Sequence, residues 1–300
     1  MKILITGATG DVGSHLVPLL LKSGESIHYL TTAEKKIDNK PNYKGFLWNP
    51  KLGTIDEKAF EGVDIIIHLA GASIAKRWTN QYRKDIIDSR VLSAELIYKL
   101  LESREHQVRQ IISASAIGIY PDSLSKVYTE QSNESDKGFL GQVVTEWENS
   151  VDKFENLGIK VCKIRTGVVL SHRGALPEIV KPTRMGFGAA FGSGKQIVSW
   201  IHIEDLAELY RFAFKNSLGG VFNAVAPNPV SNLVLTQSIA QKLNKQLLLP
   251  NIPRFIMKLA LGEMHKILYD GQNVSSEKIR KQGFIFRYDT IEKALGNILK

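Results

Sequence analysis

The stretch from Ile3 to Gly13 restricts the fold more than any other part of the chain. It reads Ile-Leu-Ile-Thr-Gly-Ala-Thr-Gly-Asp-Val-Gly, an apolar run that ends in glycines spaced Gly7-x-x-Gly10-x-x-Gly13. Apolar residues at Val12, Leu16, Leu19 and Leu20 follow at helical spacing, with Pro18 inside the pattern and Gly24 as a natural stop. Ile3 to Ile5 therefore read as a buried strand, and the glycines turn the chain tightly off its carboxyl end. The next helix then points free backbone N–H groups and its positive dipole end into the crevice. A dinucleotide pyrophosphate suits such a site, because a Cβ at Gly10 or Gly13 would block the approach of backbone to phosphate or of helix to strand. Glycines alone would serve any tight strand-to-helix turn; the flanking strand and helix favour the nucleotide.

Further along, Ile27 to Leu30, Phe46 to Trp48, Val63 to Leu69, Val108 to Ser113 and Val161 to Arg165 read as strands. Helical patterns separate them, notably Asn80 to Leu101 and the apolar series Val143, Trp147, Val151 and Phe154. Strands alternating with helices over the first 170 residues imply an α/β fold, a Rossmann-like doubly wound parallel sheet. The loops after Thr6, Leu30, Leu69, Ser113 and Arg165 should line one crevice. The remainder predicts a smaller, mostly helical C-terminal substrate lobe. It has helices at Asp205 to Phe214 and from an Asn232 cap to Leu243, and strands at Val221 to Asn223 and Phe284 to Phe286. The expected division is 1–170, with 196–226 returning to it, and 171–300.

With 43% hydrophobic and 23% charged residues, the 300-residue chain has the composition of an ordinary globular protein. Its formal charge of +9 admits anionic partners, but the basic residues are scattered in pairs, so nucleic acid is not expected. Cys162 is the sole cysteine, which excludes an internal disulfide, and the seven histidines lack metal-ligand spacing. The first strand begins at Lys2, leaving no room for a leader peptide, and no apolar run reaches membrane-span length. A cytoplasmic location without membrane contact is expected; the oligomeric state is open.

Taken in order, a set of segments carries a family resemblance: Ile5-Thr6-Gly7-Ala8-Thr9-Gly10, His68-Leu69-Ala70-Gly71, Lys76-Arg77-Trp78, Asp88-Ser89-Arg90-Val91, Ser113 to Tyr120 and Arg165 to Leu170. Gly192 to Gln196, Trp200 to Asp205, Phe222-Asn223-Ala224, Leu261 to Met264, Gly271-Gln272 and Gly283 to Arg287 continue it to the end. The chain resembles the extended, atypical branch of the short-chain dehydrogenase/reductase superfamily. Within that branch it is similar to the nucleotide-sugar-epimerase-like proteins called epimerase family proteins, which carry a C-terminal domain of unknown function. The resemblance implies an NADP(H) site. Gly7, Thr9, Gly10, Asp11, Val12 and Gly13 match the pyrophosphate loop, and Leu69, Ala70 and Gly71 the wall beside a ribose. Ser113, Ala114 and Ser115, with Thr166, Gly167 and Val168, match the nicotinamide end. Ser89 matches a helix position that faces the strand ends, or else is a locally satisfied helix serine.

Two departures bear on chemistry. After the second strand, relatives often place an Arg for the 2′-phosphate, whereas this chain has Thr31-Thr32-Ala33-Glu34-Lys35-Lys36. No acidic residue closes the strand to hold a free ribose hydroxyl, so NADP is favoured. Thr31 and Thr32 would hydrogen-bond the phosphate and Lys35 or Lys36 would supply charge, unless both lysines are simply solvated. Ordinary members also pair a Tyr with a Lys four residues later, the ammonium lowering the phenol's pKa for proton transfer. Here Phe139 and Val143 fall in those positions, and neither transfers a proton.

Two functions remain in view. One is an NADP(H)-dependent oxidoreductase or epimerase acting on a small, anionic or sugar-like molecule. Ser115 would bond the reacting oxygen, Tyr120 would replace the missing phenol, and Lys76, Arg77 and Lys195 would grip an anionic group. The plain alternatives are an aromatic packed beneath the cofactor loop for Tyr120 and solvated surface for the cations. His202 and Asp205 read as helix-capping rather than catalytic. The other function is a dinucleotide-binding sensor or regulatory protein without turnover.

Overall fold

The computed structural model describes residues 1–299. Seven parallel strands form its centre: β1 (Lys2–Thr6), β2 (Ser26–Thr31), β3 (Tyr43–Asn49), β4 (Ile65–His68), β5 (Gln110–Ala116), β6 (Lys160–Thr166) and β7 (Gly220–Ala224). Their spatial order is β7-β6-β5-β4-β1-β2-β3, and the short antiparallel pieces Asn39–Lys40 and Thr54–Ile55 flank β3. The order reverses between β1 and β4, which opens a crevice at the carboxyl ends of those two strands.

Strand alternation sorts the core into two layers. On one face, Ile3 and Ile5 of β1 pack with Ile27, Cys162 and Ile164 against α1 (Asp11–Lys22) and α5 (Ile203–Lys215). On the other, Leu4, Ile66, Ile111 and Val161 pack against α2 (Asn80–Glu102) and α3 (Phe139–Asp152). Each buried Ile or Leu contributes about 1.5–3 kcal/mol, so this double layer dominates stability. Pro18 stays within α1 on its exposed side, as a surface-facing helix proline can. Cys162 lies in the middle of β6 with no exposed surface, and burial pushes its thiol up to about 12.

A third cluster builds the smaller lobe. It joins Leu176 and Val180 of α4 (Ala175–Arg184), Leu235 and Ile239 of α6 (Asn232–Lys242), and Ile291, Leu295 and Ile298 of the last helix (Ile291–Ile298). Val168–Leu170 pairs in parallel with Trp200–His202 beneath it. Helix α7 (Arg254–Leu261) lies at the periphery, with none of its residues buried.

Local expectations differ from the structure in two places. Ser231, not Asn232, caps α6, its side chain accepting from the Val234 N–H; the Asn232 side chain instead accepts from the Phe191 N–H. Residues 284–286 form no strand. The Phe284 N–H donates back to the Ile279 carbonyl, and the Arg287 and Tyr288 N–H groups donate to the Asp205 carboxylate. Phe284 and Phe286 are buried as core plugs against Phe212, without a neighbouring strand.

Candidate cofactor and reaction site

The crevice begins at the glycine turn. Gly7 has φ +73°, and a Cβ at Gly13 would stand 2.4 Å from the Gly7 carbonyl oxygen, so α1 starts as close to β1 as backbone allows. Gly10 is the N-cap of α1, and no side chain caps the helix. The first-turn N–H groups at Asp11, Val12 and Gly13 are therefore left for an acceptor in the crevice. Asp11 accepts from the Ser171 hydroxyl at 2.6 Å, which ties the turn to the second lobe; its other carboxylate oxygen is buried without a partner.

Beside the turn lies a cleft of about 500 Å³ whose walls include Thr9, Lys35, Lys36, Asp38 and Tyr43. Glu34–Lys36 forms a single 3-10 turn after β2, and the Lys36 ammonium donates to the Thr9 hydroxyl at 3.4 Å. Thr31 is buried and accepts from the Ala33 N–H, whereas Thr32, Lys35 and Lys36 are exposed. The structure thus brings both lysines to the glycine turn, while Thr31 uses its side chain locally. Free N–H groups at a helix start and two ammonium groups beside them form a donor set suited to phosphate.

The opposite wall, Leu69 to Gly71, is held by a buried chain of hydrogen bonds that the sequence did not disclose. The Thr6 hydroxyl oxygen accepts from both the Leu69 and the Ala70 N–H at 3.0 Å, filling its lone pairs. Its one proton must then go to Nδ1 of His68, 2.9 Å away. That fixes His68 as the tautomer protonated at Nε2, which donates to the Ser93 hydroxyl at 3.1 Å; Ser93 in turn donates to the Arg90 carbonyl. Burial of the ring lowers the His68 pKa to about 4, so it stays neutral. Next to it the Ser89 hydroxyl accepts from the Ala72 N–H, and the Arg90 guanidinium donates to the Ile86 and Ala72 carbonyls. Arg90 lies against the Trp147 ring, and burial lowers its pKa to about 10. Ser89 serves the loop after β4.

Near the carboxyl ends of β5 and β6, the structure ties Ser115 and Tyr120 into one network behind the sheet end. Ser115 is buried and donates to Glu148 of α3 at 2.5 Å. Glu148 accepts two 2.8 Å bonds from Arg165 of β6, and Arg165 donates a third to the Tyr120 hydroxyl at 3.0 Å. Tyr120 has no exposed surface and donates to the Asn223 side-chain oxygen at 2.9 Å. Burial works to raise the Glu148 pKa, but the bonds and charge of Arg165, helped by Ser115, hold it below the usual carboxylate range. Burial raises the Tyr120 pKa despite Arg165. The Tyr120 hydroxyl thus commits its proton to Asn223 and accepts from Arg165. Ser113 donates to the Ala114 carbonyl and Thr166 to the Ile164 carbonyl, while Ala114, Gly167 and Val168 remain partly exposed along the strand ends.

Phe139 opens α3 and Val143 lies one turn further on. The Phe139 ring meets Trp78 edge-on at 5.0 Å beneath the Arg83 guanidinium, and Val143 is buried. Arg83 also pairs with Glu263 of the second lobe. Lys76, Arg77 and Lys195 are exposed, with Lys76 over the Tyr82 ring; no ion pair or hydrogen bond draws the three together. His202 caps α5 by accepting from the Glu204 N–H, and Asp205 accepts from the Arg287 and Tyr288 N–H groups. Both act as structural groups here. No grouping of His, Cys, Asp and Glu among the described residues could hold a metal ion.

Comparison with known proteins agrees with this layout. Residues 3–224 match the model of the NAD dependent epimerase/dehydratase family, and residues 252–298 match a domain of unknown function, DUF1731. The chain is 35% identical over 300 residues to "Epimerase family protein YfhF" of Bacillus subtilis, covering all of this chain and 98% of the relative. It is 34% identical over 304 residues to an epimerase family protein of Staphylococcus epidermidis, again over all of this chain and 99% of that one. Among solved structures, the human epimerase family protein SDR39U1 with NADPH superposes with TM-score 0.85 at 26% identity, covering 100% and 99% of the two chains. A nucleoside-diphosphate sugar epimerase from Corynebacterium glutamicum gives TM-score 0.80 at 30% identity, covering all of this chain and 58% of that one. With family models over both lobes and full-length relatives above 30% identity, the chain belongs to the NAD dependent epimerase/dehydratase family and carries the DUF1731 C-terminal domain.

Proposed function

We propose that the chain binds NADP(H) in the crevice and acts as an oxidoreductase or epimerase-like protein on a small molecule, without the usual Tyr–Lys pair. One observation carries the cofactor preference: Lys35 and Lys36 share a cleft with Thr9 of the glycine turn. When bound, the cofactor supplies hydride chemistry. The chain's own part is to bind the pyrophosphate at the start of α1, attract a 2′-phosphate with the two lysines, and shape the wall at Leu69 to Gly71. The NADPH in the human relative's structure supports the same reading. Calorimetry tests it. Wild type should bind NADPH more tightly than NADH, and Lys35→Ala with Lys36→Ala should lose affinity for NADPH more than for NADH at low salt. Equal losses return the lysines to ordinary surface.

The turn itself is tested by Gly10→Val. A Cβ there meets only the Gly7 carbonyl oxygen, at 3.1 Å, so the fold should survive while the side chain obstructs the crevice. NADPH binding should vanish with the melting temperature nearly unchanged; retained affinity removes the turn from the site.

A second reading, a dinucleotide-binding sensor or regulatory protein, is favoured by the burial of Ser115 and Tyr120 in the Arg165–Glu148 network. With both hydroxyls committed and Phe139 in place of a phenol, general acid–base catalysis, typically worth ~10²–10⁴-fold, lacks a donor. Steady-state assays with alcohols, ketones and UDP-sugars at saturating NADPH should then show little or no turnover. Ordinary enzymatic rates that survive Tyr120→Phe and Ser115→Ala would eliminate this reading and also the substitute-acid role of Tyr120.

A further inference from the structure

An apolar face of the second lobe is left uncovered. It is built from α7 and the two turns that lead to it. Leu247 packs over Gly188, Ile252 bonds the backbone on either side of Phe191, and the chain then enters α7. Through these contacts the turn carrying Met185 and Phe187 adjoins the one carrying Leu248 and Leu249, which leads directly into α7 with Phe255, Ile256 and Leu259. All seven are exposed, Leu248 by 77% and Leu259 by 80%. Phe255 and Leu259 lie one helical turn apart with Ile256 beside them, so α7 presents an apolar edge outward.

The unpaired charge of these segments has a single sign, since the acidic neighbours of α7, Asp270 and Glu263, are paired with Arg254 and Arg83. No Asp or Glu occurs between Glu178 and Glu204, and none between Glu208 and Glu263. Over the same segments Arg184, Lys242, Lys245 and Lys258 are exposed without an acidic partner among the described residues. Single exposed apolar side chains need no explanation, but a group of them accompanied by unpaired charge of one sign does.

We propose that this face docks on an anionic lipid surface, with Phe255, Ile256 and Leu259 entering the interface and the lysines meeting lipid phosphates. The sequence on its own leads to the opposite expectation of no membrane contact, because it holds no apolar run of span length, and no described helix is long and apolar enough to cross a bilayer. A helix with an apolar edge and basic flanks lies in the interface without crossing it. A second copy of the chain is a poorer occupant, since like faces would bring four unpaired cations against four. A protein that grips a groove is also poorer, because α7 protrudes with no buried residue.

The test is co-sedimentation of the full chain with vesicles of phosphatidylcholine alone or mixed equally with phosphatidylglycerol, at ~0.1 M and ~1 M salt. Binding should require the anionic lipid and weaken at high salt. Phe255→Asp with Leu259→Asp should reduce partitioning about tenfold or more. Lys242→Ala, Lys245→Ala and Lys258→Ala should each reduce it about fivefold. NADPH affinity and melting temperature should be unchanged in all of them, which separates a lost surface from a lost fold. Equal binding to neutral and anionic vesicles, or no binding to either, overturns the proposal. So does unchanged binding by the aspartate variant, or self-association in sedimentation velocity that this variant abolishes, which would make a second copy the occupant.

Discussion

The hydroxyl of Thr6 decides the protonation of a histidine that never meets solvent. Because Thr6 accepts twice from backbone, His68 must accept from it and so remain neutral. Its pKa falls from 6.5 to about 4 on folding, so between those values the unfolded chain holds more protons than the folded one. Stability therefore falls as pH drops from 6.5 towards 4, by on the order of 3 kcal/mol for this one group, and the contribution is complete above 6.5. His68→Asn should flatten that slope in melting curves across the window, while lowering stability at neutral pH. An unchanged slope would mean that another group carries it, His202 being the obvious one because burial lowers its pKa to about 4 as well. The sequence showed His68, Ser89 and Arg90 as motif letters but could not show this chain of bonds. Thr6 and Ser93 are far apart in sequence, and only the pairing of β1 with β4 beneath α2 brings them to one ring.

Among the elements, α3 carries both the residues read at the expected Tyr and Lys positions and a buried ion pair. Its first two turns carry Phe139 and Val143, and its third turn carries Glu148, the buried partner of Arg165. Breaking such a pair strands a buried charge, so Glu148→Ala should cost about 3–5 kcal/mol and appear as a large drop in melting temperature. A loss below about 1 kcal/mol would mean that water reaches Arg165 and the network is loose. The elements themselves were largely legible. The periodicity at Asn80 to Leu101 and the unbroken apolar run at Val63 to Leu69 report burial directly, and the structure places a helix and a strand there. The strand expected at Phe284 to Phe286 was not legible, because a short apolar run looks the same whether it joins a ladder or plugs a core. What settles that case is the Ile279 carbonyl, which takes the Phe284 N–H that a ladder would have used, while Asp205 holds the backbone just beyond through the Arg287 and Tyr288 N–H groups. Similarly, Ser115 is recognisable as a strand-end serine, but its hydrogen-bond acceptor stands on a helix more than thirty residues away.

Across the whole molecule, the two lobes meet around the crevice through Asp11 with Ser171, Arg83 with Glu263, and Asp205 with the Arg287–Tyr288 backbone. Anything that binds the crevice of the folded chain but not the unfolded one raises the cost of opening this assembly. Cys162 turns that cost into something that can be timed. It is the sole thiol, sits mid-strand in the central sheet, and has a pKa near 12, so inside the fold it is both unreachable and un-ionised. A thiol reagent should therefore modify only opened molecules, and the modification rate becomes a clock for opening. NADPH at about 100 times its Kd should slow the clock about a hundredfold. The same clock would respond to any metabolite that binds the crevice without being turned over, so a ligand can be sought by its protection of one sulfur atom.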